Sequence, residues 1–271
     1  MNPPTRLFPV VALLLAVGAT PALAQNAGPP AASPPPAAAQ GSTPAPVPTQ
    51  APPPEAKSPP AATAAPAPTG AAYVVSYVEV GPAAAHKAAI ILHRYAVQTR
   101  RAAGNTECIA LREHDRPGRF ALVEAWQDQA ARDAHAAAAN AMAEALQPLL
   151  VAPIDNRPSV GLDVAPLAPG AVSAKGVVYV LTHVDVIPPG KDQAIVLVKA
   201  LAADGRKADG NLFYDVLQQG NRANHMTLFA GWRARGDRNA YVISDAAKEF
   251  RTKESPLAGA LYDERLYEAV R

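Results

Sequence analysis

The chain has 271 residues with 25 Lys and Arg against 23 Asp and Glu, a formal net charge of +2, and its length allows one large domain or two small ones. So balanced and scattered a charge offers no basic track for a phosphate backbone, which excludes nucleic acid as a partner. The one cysteine, Cys108, can neither close an internal disulfide nor build a structural zinc site, so the fold must rest on apolar burial.

In chain order the first element is an apolar run, Leu7 to Val17, behind the basic Arg6. It is too short to cross a bilayer of about 30 Å as a helix. The triplet Ala22-Leu23-Ala24 follows, so residues 1–24 are expected to be a signal peptide cleaved before Gln25. No Cys follows the run and no later stretch is apolar enough to anchor, so the expected product is periplasmic or secreted, without membrane insertion. Residues 25–71 are almost wholly Pro, Ala, Gly, Ser, Thr and Gln. Such a segment blocks helix and sheet ladders and buries too little to offset backbone ordering, so it reads as a disordered, PPII-like linker. It serves as an inert export spacer or as a tether to an envelope partner.

The remainder repeats itself. Tyr73-Val-Val-Ser-Tyr-Val-Glu-Val80 aligns with Tyr179-Val-Leu-Thr-His-Val-Asp-Val186, Ala103-Gly-Asn105 with Asp209-Gly-Asn211, Trp126 with Trp232 and His135 with Tyr241, always 106 positions apart. A constant offset implies equal element and loop lengths, hence one fold used twice, over 72–166 and 176–271. A Pro/Gly connector, Ala165 to Ala171, lies between.

Each unit reads strand, helix, strand, strand, helix, strand. Tyr73 to Val80 and Val177 to Val186 are Val- and Tyr-rich and stop at Gly81-Pro82 and Pro188-Pro-Gly190. A helix follows each, with Ile91, Leu92 and Tyr95 opposite Leu197, Val198 and Leu201, and with Gly104 and Gly210 at the expected C-caps. Thr106 to His114 with Arg119 to Trp126, and Leu212 to Gln219 with His225 to Trp232, form predicted hairpins. Asp128 is the predicted N-cap of a helix carrying His135 two turns in, and Ser159 to Val164 and Leu261 to Val270 close the units. The fold class is therefore α+β: two tandem ferredoxin-like βαββαβ units. Each leaves one sheet face bare, so the halves should pair sheet against sheet as an intramolecular dimeric α+β barrel, a monomer with assembly beyond it left open.

The run Val184-Asp-Val-Ile-Pro-Pro-Gly190, the stretch Arg206 to Gln219, Glu124-Ala-Trp126 and His135 nine residues beyond that Trp resemble antibiotic biosynthesis monooxygenase domains. The resemblance covers both units and not the linker. It implies dimeric α+β barrels and oxygenation of quinols or anthrone-like aromatics with O2 and no cofactor, while some relatives degrade haem through pockets that combine Asn, Trp and His. The first strands here offer Ser76, Tyr77, Thr182 and His183 but no Asn.

Strand alternation puts Phe120, Leu122, Glu124 and Trp126 on one face, with His135 nearby. A carboxylate, an indole N–H and an imidazole around an apolar cavity suit a small aromatic substrate: His135 would take a phenolic proton and Glu124 would orient it. The expected catalytic residues are His135, Glu124 and Trp126. Tyr77, Tyr95, Phe120, Leu122, Trp232 and Tyr241 are expected to bind the substrate. The structural alternative makes Trp126 core, pairs Glu124 with an arginine such as Arg112 and leaves His135 a satisfied helix histidine. Ala230 replaces Glu124 and Tyr241 replaces His135 in the second unit, so catalysis, if present, belongs to the first. No metal is expected, since His86 and His93 lack a third ligand, and Cys108 reads as a buried small hydrophobe. No GxSxG, HExxH, GxGxxG or P-loop pattern occurs. The competing class is a noncatalytic periplasmic binding or scaffold protein on the same barrel.

Overall fold

The structure, a computed structural model, describes residues 70–165 and 175–271. The expected signal peptide, nearly all of the Pro/Ala-rich segment and most of the connector lie outside the described residues. The first unit runs β1 (Ala72–Glu79), α1 (Ala85–Thr99), β2 (Asn105–Glu113), β3 (Arg119–Trp126), α2 (Gln129–Ala134), α3 (Ala136–Leu146) and β4 (Asp155–Asp163). The second runs β5 (Val178–Asp185), α4 (Lys191–Gly205), β6 (Asn211–Gln219), β7 (His225–Trp232), α5 (Arg235–Val242), α6 (Asp245–Glu254) and β8 (Asp263–Ala269).

Within a unit the strands pair antiparallel in the order β4-β1-β3-β2, and likewise β8-β5-β7-β6. Joints between β2 and β8 and between β4 and β6 then close all eight into one barrel, which removes every free edge as well as both bare faces. The joints are equivalent. Leu111 faces Ala269 and Arg112 faces Glu268, just as Leu217 faces Gly161 and Gln218 faces Val160. Equivalence holds only if the offset is 106 in the first three strands and 108 in the last. The bridges Val80 to Leu150 and Val186 to Ala258 show the same step. The two extra residues lie in α5, which has 8 residues against 6 in α2.

Three apolar layers result. Leu92, Tyr95, Phe120, Leu122 and Leu146 fill the space between the first unit's sheet and its helices, and Val198, Tyr214, Trp232 and Phe250 do so in the second. The opposite sheet faces meet in the lumen, where Val75, Leu111, Val123, Tyr179, Phe213 and Phe229 pack together. Gly231 makes room there, because a Cβ on it would stand 2.2 Å from the Phe213 ring.

Three local expectations are corrected. The helix after β3 is broken: Asp128 accepts from Ala131 N at 2.8 Å as its cap, but α2 ends at Ala134, and His135 sits at the junction with α3 rather than two turns into one helix. Gly104 and Gly210 are not the helix C-caps, which are Arg100 and Arg206. They take left-handed φ values of 75° and 77° where the following turn enters β2 or β6, a conformation that disfavours a side chain. Finally, β4 begins at Asp155 and contains Pro158. Proline is tolerated there because pairing with β6 starts only at Ser159, so no ladder partner needs its missing N–H.

Candidate functional site

The alternation along β3 sends Phe120, Leu122, Glu124 and Trp126 toward the helices, while Ala121 and Val123 face the lumen. Toward the end of β3 a cleft of about 210 Å³ opens between the sheet and α3, with Val74 and Ser76 from β1, Asn156 from β4 and Met142 from α3 in its wall. Glu124, Trp126, Tyr95, Arg132 and His135 supply its functional groups.

Glu124 is 6% exposed and accepts from Trp126 Nε1 at 3.2 Å and from the Tyr95 hydroxyl at 3.3 Å. Burial raises its pKa, against the lowering effect of those two hydrogen bonds and of the Arg132 charge. Burial also pushes the Tyr95 phenol up, so Tyr95 remains a donor. His135 lies over Trp126 with ring centroids 5.1 Å apart, and its Nε2 is 3.0 Å from Thr99 Oγ1. Burial lowers its pKa, which keeps the imidazole neutral and able to accept a proton. Glu124 therefore does not orient His135 as the sequence suggested. Thr99, fully buried on α1, performs that task. Nor does Glu124 pair with Arg112, which bonds Glu268 across the β2–β8 joint.

The equivalent place in the second unit is filled. Its remaining space is about 20 Å³, room for little more than one water, against about 210 Å³ in the first. Tyr214 stands where Cys108 stands in the first unit, Phe250 where Met142 does and Tyr241 where His135 does. Tyr241 packs over Trp232 at 5.1 Å and donates to Leu201 O at 2.9 Å. Gly205, at the Thr99 position, admits Tyr214, since a Cβ there would lie 2.5 Å from that ring. At the rim Arg238 is paired with Glu264. Their first-unit counterparts are Arg132 and Asn156, so Arg132 has no carboxylate at that place.

The nine expected site residues thus divide. His135, Glu124, Trp126 and Tyr95 converge on the open cleft. Phe120 and Leu122 pack in the core behind it and do not line it. Tyr77 is on the opposite sheet face, within the lumen, because it lies an odd number of residues from Val74 and Ser76 along β1. Trp232 and Tyr241 belong to the filled second site. Sequence reading missed Thr99, Arg132, Asn140 and Asn156. The first strands carry no asparagine at the cleft, whereas Asn140 and Asn156 reach it from α3 and β4.

Residues 71–143 match the family model described as antibiotic biosynthesis monooxygenase. No curated protein matches the sequence. Among solved structures, a monooxygenase candidate from Fusobacterium nucleatum aligns with a TM-score of 0.65 at 13% identity, over 75% of this chain and 94% of that one. Another from Lactobacillus acidophilus NCFM gives 0.62 at 10% identity, over 74% and 95%. An anthrone oxidase-like protein gives 0.57 at 13%, over 75% and 92%. At such identities these likenesses show the barrel architecture. Residues 71–143, within the first unit, are thus similar to the antibiotic biosynthesis monooxygenase family, and the second unit repeats the fold of the first to complete the barrel.

Proposed function

We propose that the first unit is an exported monooxygenase acting with O2 on a small quinol- or anthrone-type aromatic, while the second unit serves folding and closure. The observation that carries this reading is the asymmetry between the two equivalent sites: one keeps a cleft with a neutral imidazole in its wall, and the other is packed shut.

The mechanism requires the His135 tautomer in which Nε2 donates to the Thr99 hydroxyl, which leaves Nδ1 as the basic atom that takes the acidic proton of the substrate. Arg132 stands at the wall to stabilise the resulting anion. Glu124 fixes the donors of Tyr95 and Trp126 and thereby the rings that flank the imidazole. The anion supplies the electrons. One passes to O2, the two radicals join in a C–O bond, and the O–O bond then breaks. One oxygen stays as the new carbonyl, and the other leaves as water with the proton that His135 held and the second hydrogen of the same carbon, so an anthrone CH2 becomes a quinone C=O.

Oxygen uptake by the purified protein with a hydroquinone and anthrone panel tests this. His135→Ala should lower uptake by about 10²–10⁴-fold. No uptake with any substrate, or equal uptake in the variant, would remove the mechanism and leave a binding barrel. A Soret shift on adding haemin would instead indicate a haem-handling relative. Export is tested separately by the N-terminus of the mature protein, expected at Gln25.

A further inference from the structure

Glu264 on β8 lies directly across the strand pair from Thr182 on β5, and three groups of the second unit hold its carboxylate. Arg238 forms the ion pair, the Tyr262 hydroxyl donates to Oε2 at 3.2 Å, and the Thr182 hydroxyl donates to the same oxygen at 3.4 Å. The equivalent strand pair of the first unit sets Ser76 on β1 across from Asn156 on β4. Arg132 stands for Arg238, Ser76 for Thr182 and Ile154 for Tyr262, and all three line the open cleft. The first unit thus keeps the guanidinium and the strand hydroxyl that converge on an anion in the second, and it lacks the carboxylate they would hold.

Both donors are unengaged. Among the described residues the Arg132 side chain makes no hydrogen bond or ion pair, and its charge reaches Glu124 only at longer range. Ser76 is buried, and its hydroxyl has no hydrogen bond among the described residues, but it lines the cleft and is not sealed off as the Tyr77 hydroxyl is. The other ionisable groups around the cleft are Glu124, Tyr95, Asp133 and His135. Two carboxylates beside one guanidinium give no attraction for a ligand that arrives as an anion. The arrangement suits one that is neutral on entry and becomes an anion only there, as His135 gains a positive charge. Such an ion is stabilised by donors already aimed at the oxygen where its charge collects.

We propose that Ser76 and Arg132 form a two-donor clamp for the substrate oxygen that turns negative when the proton leaves, in the place that the Glu264 carboxylate fills in the second unit. Ser76 is then a catalytic residue that donates its hydroxyl hydrogen to that oxygen, and Arg132 completes the clamp from α2. A guanidinium and a hydroxyl are all the clamp needs, so Asn156 contributes by not being a glutamate. The role in turnover rests on the monooxygenase reading above, whereas the clamp itself does not.

4-Nitrophenol reads the clamp without turnover, because its phenolate absorbs at longer wavelength than the phenol. Titrated over pH with the full chain, the bound phenol should ionise below its value in water. Ser76→Ala and Arg132→Gln should each weaken phenolate binding by about tenfold, the equivalent of one hydrogen bond to a charged group. Ser76→Thr, which installs the hydroxyl seen at Thr182, should restore what Ser76→Ala loses. Asn156→Glu should abolish phenolate binding by supplying the carboxylate itself, and because Asn156 is exposed this variant should still fold. Melting curves check the folding of all four variants. A bound phenol that ionises at or above its value in water, a failure to bind at all, or phenolate affinity unchanged in Ser76→Ala would overturn the clamp. Oxygen uptake separates the two readings. In Ser76→Ala, kcat should fall by about tenfold with KM little changed. A parent chain that binds nitrophenolate through Ser76 and Arg132 but consumes no oxygen with any substrate would uphold the clamp and remove the monooxygenase reading.

Discussion

Thr99 Oγ1 lies 3.0 Å from His135 Nε2, and at the position equivalent to Thr99 the second unit has Gly205, beside a tyrosine in place of the histidine. The hydroxyl that holds the imidazole is present only where the imidazole is. Thr99→Val keeps the shape and removes the hydrogen bond, so oxygen uptake should fall by about tenfold with the substrate KM little changed. Steady-state kinetics of the variant check this, and a rise in KM alone would make Thr99 a packing residue.

The pH profile follows from the same residue. Burial depresses the His135 pKa, so the base is still unprotonated below the ordinary imidazole midpoint. The acid limb of kcat/KM should therefore lie below that midpoint, and a profile centred above it would contradict His135 as the base.

His183 governs stability rather than chemistry. Burial and the Arg157 charge lower its pKa from 6.5 to about 4. A depressed folded pKa contributes stability that is complete above the unfolded value and is lost as pH falls toward the folded one. Denaturant unfolding should thus show a loss of about 3 kcal/mol between those two pH values, and His183→Asn should flatten that part of the curve.

Tyr95 and Trp126 share the Glu124 carboxylate, so Glu124→Ala leaves two buried donors unmet at about 1–3 kcal/mol each. Adding Tyr95→Leu, which with it reproduces the second unit's Ala230 and Leu201, should recover part of the loss. Non-additive unfolding free energies in the double-mutant cycle check the coupling.

The filled and open sites should differ in their response to truncation. Phe250 is buried, and Phe250→Ala should cost about 3–5 kcal/mol. Met142 holds the same place beside an open cleft and is only half-buried, so Met142→Ala should cost distinctly less. Equal losses by denaturant unfolding would mean that the first cleft is as closed as the second.

Much of the fold was legible because its signals are local. The alternation of β3, the Pro-Gly stops after β1 and β5 and the recurrence of Trp126 as Trp232 are each readable within a few residues, and a repeated βαββαβ unit with a bare sheet face has few ways to bury it. The site was half legible. Residues 124, 126 and 135 were found because they lie close along the chain, whereas Thr99, Arg132 and Asn156 look like ordinary helix and strand positions until the packing of α1, α2 and β4 brings them together. The break at His135 was likewise hidden, since an alanine-rich segment carries no helix stop, and at that break the imidazole lies over Trp126, a residue of another element.

Residue order alone determined the duplication, the strand and helix sequence, and the loss of the imidazole and carboxylate from the second unit. Tertiary structure decided that the sheets join edge to edge, that Tyr77 faces the lumen beside His183 while Tyr95 faces the cleft, and that one of two equivalent cavities is shut. Periodicity specifies which side of a strand a residue occupies, but a cavity is the volume left over when side chains distant in the chain are packed, and that remainder has no local signature.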